Sequence, residues 1–229
     1  VFNLVHGLGP EVGQAILEHP GIKAISFTGG TETGRIVART AAPMFKKLSL
    51  ELGGKNATVV FADADMEKAV EGAVRAAFTN SGQVCLCGSR IFIEEEIVEQ
   101  FTRRFVEKVD AIRVGNPMDE ETEMGTVISP EHLLKIESYI DLAQKEGGVI
   151  LTGGTREMTG YNGPDGTGAF LRPTVVGNLP HTSRCATEEI FGPMVTLHTF
   201  STEQDALEMV NASEYGLAGS VWTSDIEQI

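Results

Sequence analysis

Cysteine is scarce in this chain: Cys85, Cys87 and Cys185 are the only three in 229 residues. So small and odd a number excludes a disulfide framework and fits free thiols in a reducing compartment, which points to the cytoplasm. Neither Cys85-x-Cys87 nor any other Cys has a second pair at metal-ligand spacing, so no metal site is read, and Cys87 and Cys185 read as packing residues. Basic residues are also few, with 18 Lys and Arg against 32 Asp and Glu and a formal charge of −14. The densest basic cluster is Arg103-Arg104. Without a basic stripe the chain lacks what nucleic acid phosphates or an anionic membrane surface require. Long apolar runs are absent too, the stretch Ala57 to Ala62 falling far short of the roughly 20 residues that span a bilayer. There is no Gly-x-Ser-x-Gly elbow, and none of the five His forms a recognisable dyad with a nucleophile, which excludes a serine hydrolase. The opening residues have neither a basic n-region nor an apolar h-region, so no targeting signal is read. The start at Val1 and the stop at Ile229, just after a candidate helix cap at Asp225, suggest a piece of a longer protein.

What is present is an ordinary globular composition, 41% apolar and 22% charged. Ile22 to Phe27 reads as a buried strand, followed by the turn Thr28-Gly29-Gly30-Thr31 and a helix from Gly34 to Ala42. Lys47 to Leu52 and Ala57 to Phe61 read as strands on either side of Gly53-Gly54. Asp63 or Asp65 caps a helix whose apolar positions Met66, Ala69, Val70, Ala73, Val74, Ala77 and Phe78 keep helical spacing. That helix stops near Asn80-Ser81-Gly82, which leaves Cys85 in a loop before the strand Arg90 to Ile93. Two further helices carry Ile97, Val98, Phe101, Phe105, Val109 and Ile112, and then, after Pro130, Leu133, Ile136 and Ile140. Thr152 to Gly168 reads as a surface loop, Val195 to Phe200 and Ser220 to Thr223 as strands, and Ser201 to Gln204 as a capping box. The repeated Thr-Gly-Gly-Thr at positions 28 and 152 is a coincidence of turn chemistry. The alternation predicts α/β architecture with largely parallel sheets.

Two residues carry candidate chemistry. Cys85 lies among small residues in a loop, with Arg90 five positions on, and a thiolate so placed is a nucleophile if backbone donors or a cation stabilise it and solvent reaches it. Taken alone, a lone thiol reads as a half-buried packing cysteine. Glu51 ends a strand just before two glycines, where a carboxylate can serve as a general base; alone it reads equally as a solvated strand-end residue. Gly29 to Gly34 has the form Gly-x-x-x-x-Gly between a strand and a helix, which places backbone donors where a pyrophosphate could sit.

Four ordered stretches give these residues a context: Phe27-Thr28-Gly29-Gly30-Thr31-Glu32-Thr33-Gly34, Leu50-Glu51-Leu52-Gly53-Gly54-Lys55, Gly82-Gln83-Val84-Cys85 with Arg90, and Glu188-Glu189-Ile190-Phe191-Gly192-Pro193. Through them the whole chain resembles the aldehyde dehydrogenase superfamily. The resemblance implies the end of a Rossmann-like dinucleotide-binding domain over 1–53, then most of a catalytic α/β domain over 54–229. It implies that Cys85 attacks an aldehyde and that Glu51 activates water against the resulting thioester. NAD is the implied cofactor, with NADP as the alternative. Its implied contacts are Gly29, Gly30, Gly34, Leu52, Glu189 and Phe191, with Lys135 and His132 as further candidates near the ribose. At Gly30 the family usually has a serine, so one phosphate hydrogen bond is missing. The implied partners are a small aldehyde and other copies of the protein, in a homodimer or homotetramer. Val84-Cys85-Leu86-Cys87 looks like the branch acting on muconic semialdehydes. Two other readings share the signature: an inactive, crystallin-like structural protein, and a cofactor-independent thiol esterase.

Overall fold

A computed structural model describes residues 2–157 and 168–226, in two compact units, Val1–Gly53 and Gly54–Ile229. Most of the expected surface loop after Thr152 lies outside the described residues. So does the helix expected after Asp225.

In the first unit a π-helical turn, Gly9–Gly13, runs into helix α1 (Gln14–Glu18). Strand β1 (Ala24–Thr28) follows, then helix α2 (Thr31–Ala41) and strand β2 (Lys47–Glu51). The two strands pair in parallel, from Ala24 opposite Lys47 to Thr28 opposite Glu51. The buried Lys46 ammonium donates to the carbonyls of Leu17 and His19 at 2.5 and 2.8 Å, closing the end of α1 with a cation where helix carbonyls lack partners. Helix α2 begins at Thr31, ahead of the Gly34 expected from sequence. Gly30 is extended (φ −63°, ψ 145°) and serves as its N-cap, and Glu32 complements the first turn.

The second unit is built on a six-stranded sheet. Strand β3 (Ala57–Val60) leads to helix α3 (Met66–Phe78), whose N-cap Asp65 accepts from the Lys68 N–H. Strand β4 (Arg90–Glu94) is followed by helix α4 (Val98–Asp110). Helix α5 (Pro130–Lys145) is capped by Ser129 and has Pro130 in its first turn. Strands β5 (Val149–Thr152) and β6 (Thr174–Gly177), helix α6 (Arg184–Thr187), strand β7 (Met194–Phe200), helix α7 (Glu203–Asn211) and strand β8 (Gly219–Trp222) complete the unit. The strand order is β5-β6-β7-β4-β3-β8, parallel throughout except for β5 with β6. The capping box at α7 sits one residue later than expected. Thr202 and Asp205 exchange the reciprocal bonds, because Asp at N3 reaches back to the Thr202 N–H.

Side chains alternate across this sheet and both faces are covered, as a parallel sheet requires. Val60, Ile91, Ile93, Val195 and Leu197 face α3 and α4, while Ala57, Val59 and Phe92 share the other face with Ala206, Met209 and Val210 of α7. Phe105 is fully buried and its ring lies 5.7 Å from that of Phe101 and 6.3 Å from that of Phe78. Truncation to Ala removes that packing, and Phe105→Ala should lower unfolding free energy by about 3 to 5 kcal/mol in urea denaturation.

His198, on β7, is buried and stacks on Phe92 at 5.2 Å. One ring nitrogen, Nδ1, lies 3.2 Å from the Leu179 carbonyl, which can only accept, so Nδ1 carries the proton and Nε2 accepts from the Thr196 hydroxyl at 2.9 Å. Burial pushes its pKa down to about 4, with Arg90, His181 and Lys55 acting in the same direction. A neutral His in the fold and a titratable one in the unfolded chain means that stability is complete above pH 6.5 and is lost as pH falls toward 4. The loss is on the order of 3 kcal/mol. Urea midpoints followed across that window should show a slope that flattens in His198→Gln.

Candidate active site

Helix α3 ends at Phe78, and the chain reverses through Asn80, Ser81 and Gly82, all left-handed, with φ of 53°, 57° and 68°. Only glycine fits at position 82, since a Cβ there would strike the Gly192 carbonyl. The turn delivers Cys85, half-buried, into a short loop before β4. Its N–H donates to no backbone carbonyl among the described residues, so it is available to a developing oxyanion.

Asn56 fixes that loop. Its buried side-chain amide donates to the carbonyls of Cys85 at 2.6 Å and Cys87 at 3.1 Å, while its oxygen accepts from the Ala218 N–H at 3.0 Å. Gln83 holds the loop from another side by accepting from the Ile128 N–H at 2.9 Å. Arg90 is committed elsewhere. Its guanidinium donates to the carbonyls of Lys55, Met209 and Val210 at 2.8, 3.3 and 3.0 Å, and lies 5.4 Å from the Phe92 ring centroid. Lys55 is 2% exposed and its ammonium has no hydrogen-bond partner among the described residues. Burial pulls its pKa down to about 7 against the opposing influence of Cys185, Glu189 and Glu188.

Glu189 converges on the same ground, its Oε1 accepting from the Gly54 N–H at 3.0 Å. One stripe of α5 secures its segment. His132 Nε2 lies 2.6 Å from the Phe191 carbonyl, Lys135 donates to the Glu189 carbonyl at 3.3 Å, and Tyr139 donates to Glu188 Oε2 at 2.6 Å. Burial and the Glu188 bond push the Tyr139 pKa up to about 12, which keeps it a donor. Phe191 is held at φ 61° with its ring partly exposed. A small cavity of about 20 Å³ is lined by Gly54, Gly82, Val84, Glu189, Phe191 and Gly192.

The first unit gathers the other candidates. The Gly29 N–H donates to the Glu51 carbonyl at 3.0 Å and the Gly53 N–H to Thr31 Oγ1 at 3.3 Å, which joins the ends of β1 and β2 to the start of α2. Gly34 packs directly beneath Leu52, where a Cβ would collide with the leucine side chain. Glu51 is exposed. Gly30 gives α2 no side-chain cap, so the first-turn N–H groups stay open to an anion. Among the described residues no group of three or more His, Cys, Asp or Glu side chains could hold a metal ion, and no helix is long and apolar enough to cross a membrane.

The aldehyde dehydrogenase family profile matches residues 1–229. The chain belongs to the aldehyde dehydrogenase family. It is 43% identical over its whole length to 2-aminomuconic semialdehyde dehydrogenase of Mus musculus and 44% identical to betaine aldehyde dehydrogenase of Bacillus subtilis, covering 47% and 46% of those proteins. A crystal structure of betaine aldehyde dehydrogenase from Staphylococcus aureus in complex with NAD+ superimposes with a TM-score of 0.92 at 44% identity, over 97% of this chain and 44% of that one. The chain thus spans about half the length of the relatives it matches.

In this member of the aldehyde dehydrogenase family, Asn56 positions the thiol loop, and nothing in the sequence around it singles it out. Its partners lie 29, 31 and 162 positions away, so no local pattern marks it. Asn56→Ala would strand the carbonyls of Cys85 and Cys87 and the Ala218 N–H, and should destabilise the protein by about 3 kcal/mol, measurable as a fall in the urea midpoint.

Proposed function

We propose that the whole protein oxidises an aldehyde to a carboxylic acid with NAD, and that this chain supplies the nucleophile, Cys85, and the general base, Glu51. The observation that carries the reading is the Cys85 loop: a half-buried thiol beside its own free N–H, on a backbone pinned by Asn56 and pressed against Gly192 by Gly82. On this reading the thiolate adds to the aldehyde carbonyl, and the oxyanion that forms takes a hydrogen bond from the Cys85 N–H. When bound, NAD supplies the two-electron acceptor that this oxidation requires. Glu51 takes a proton from water as it attacks the thioester left on Cys85, and the acid departs as the thiolate returns.

The open N-terminus of α2 suits the cofactor's phosphates, with Gly29, Gly30, Gly34 and Leu52 around it. Glu189 has one carboxylate oxygen engaged by Gly54 and the other available to a ribose hydroxyl, with the Phe191 ring alongside. On the same reading Val1–Gly53 is the end of the dinucleotide-binding domain and Gly54–Ile229 the catalytic domain. The free thiols fit a cytoplasmic protein, and the protein is a homodimer or homotetramer. The Val84-Cys85-Leu86-Cys87 run and the relatives named for muconic semialdehydes favour a semialdehyde substrate.

In the whole protein, Cys85→Ala should reduce aldehyde-dependent NADH formation by at least about a thousandfold, since no other group forms the covalent adduct. Glu51→Gln should spare acylation and slow turnover, so that stopped-flow NADH traces show a burst of about one equivalent per site followed by a slow phase. Retained turnover in Cys85→Ala would remove the assignment.

A further inference from the structure

Three Lys and Arg side chains are buried among the described residues, Lys46, Lys55 and Arg90. Lys46 donates to two carbonyls and Arg90 to three, whereas the Lys55 ammonium has no hydrogen-bond partner among the described residues. An unpaired buried charge is costly to a fold, so packing gives no reason for a lysine here. Its place in the chain suggests another reason. The Gly54 N–H on one side of it holds Glu189 at 3.0 Å, and the Asn56 amide on the other holds the thiol loop.

The ionisable groups that act on this ammonium are Cys185 on α6, Arg90 on β4, and Glu189 and Glu188 just after α6. Cys185 supplies no counter-charge, because burial pushes its thiol up to about 11, and its Sγ lies 3.4 Å from the Tyr139 carbonyl. Arg90 repels, and His198, which feels the same ammonium, stays neutral. Glu188 is already held by Arg184 at 2.7 Å and by Tyr139 at 2.6 Å. The Glu189 carboxylate takes a single hydrogen bond among the described residues, the one from Gly54. It is the carboxylate left for Lys55 to balance.

We infer that Lys55 is a positioning residue for the cofactor carboxylate: acting through Glu189, its ammonium sets how strongly the site favours the oxidised, cationic nicotinamide over the reduced, neutral one. The inference rests on the reading of Glu189 as the ribose-binding carboxylate and adds to it a control by charge. A carboxylate attracts the positive charge of the oxidised ring, and an ammonium beside that carboxylate offsets the attraction. Burial pulls the Lys55 pKa down to about 7, so the ammonium is charged below neutral pH and discharged above it. Preference for NAD+ over NADH therefore rises as pH rises through that value.

The test measures Kd for NAD+ and for NADH in the purified whole protein between about pH 6 and about pH 8. In wild type the ratio of the first to the second should fall about fivefold across that window. Lys55→Met should hold the ratio at the wild-type high-pH value throughout, and Lys55→Arg at the low-pH value, since a guanidinium keeps its proton. Urea denaturation without cofactor separates this role from packing: Lys55→Met should unfold at or above the wild-type midpoint. A pH slope that is absent from wild type, or that persists in Lys55→Met, overturns the inference, as does a lower midpoint in Lys55→Met with both affinities reduced alike. Glu189→Gln tests the reading beneath it. If that variant binds both cofactor forms as wild type does, Glu189 does not hold the ribose, and the inference falls with the reading. If it loses affinity while Lys55→Met matches wild type at every pH, the inference alone is defeated.

Discussion

The arrangement around Cys85 depends on one buried amide. Asn56 sits at the entry to β3 and bonds only to backbone, giving both amide N–H groups to two carbonyls of the thiol loop and accepting from one N–H leading into β8. An apolar residue would leave those groups without this partner, and a carboxylate would face two carbonyls with no proton to offer. The same short segment serves the opposite side of the site. The Gly54 N–H holds Glu189, and the Lys55 carbonyl anchors Arg90, which in turn fastens the last carbonyls of α7. Three consecutive residues therefore set the loop that carries the thiol, the loop that carries Glu189 and the end of a distant helix.

Charge is distributed around this hub in an unusual way. Arg90 and Lys55 are both buried, neither is paired with a carboxylate among the described residues, and burial lowers the pKa of both, to about 10 and about 7. His198 stays neutral near them for the same reason. Arg90 tolerates its position because a planar guanidinium can satisfy several carbonyls at once, which the point charge of an ammonium does less well.

Much of this was legible in the residues. Helices α3, α4 and α5 are strongly amphipathic, with Asp65 and Ser129 as caps, and each lies close to where its pattern places it. Strands β3, β4 and β7 are apolar runs bounded by turns. Strands β5 and β6 escaped because four-residue segments flanked by Gly and Pro carry too few positions to display a period. The start of α2 leaves no sequence signal because Gly30 caps by backbone geometry alone. Cys85 and Glu51 stand out by their surroundings, whereas Glu189 and Phe191 stand out only through the family resemblance. The stripe His132, Lys135 and Tyr139 that supports them needed the fold to give it meaning.

The clamp also has a consequence for the order in which the molecule assembles. Asn56 and Ala218 are 162 positions apart, and Arg90 and Val210 are 120 apart. Such distant closures carry a large entropic cost and form late, after local helices and neighbouring strand pairs have condensed. During synthesis the thiol segment and Asn56 both emerge long before Ala218 and Val210, which complete the clamp. Until those residues arrive the Asn56 oxygen lacks its Ala218 partner, and the completed support behind Cys85 is among the last features that folding confers.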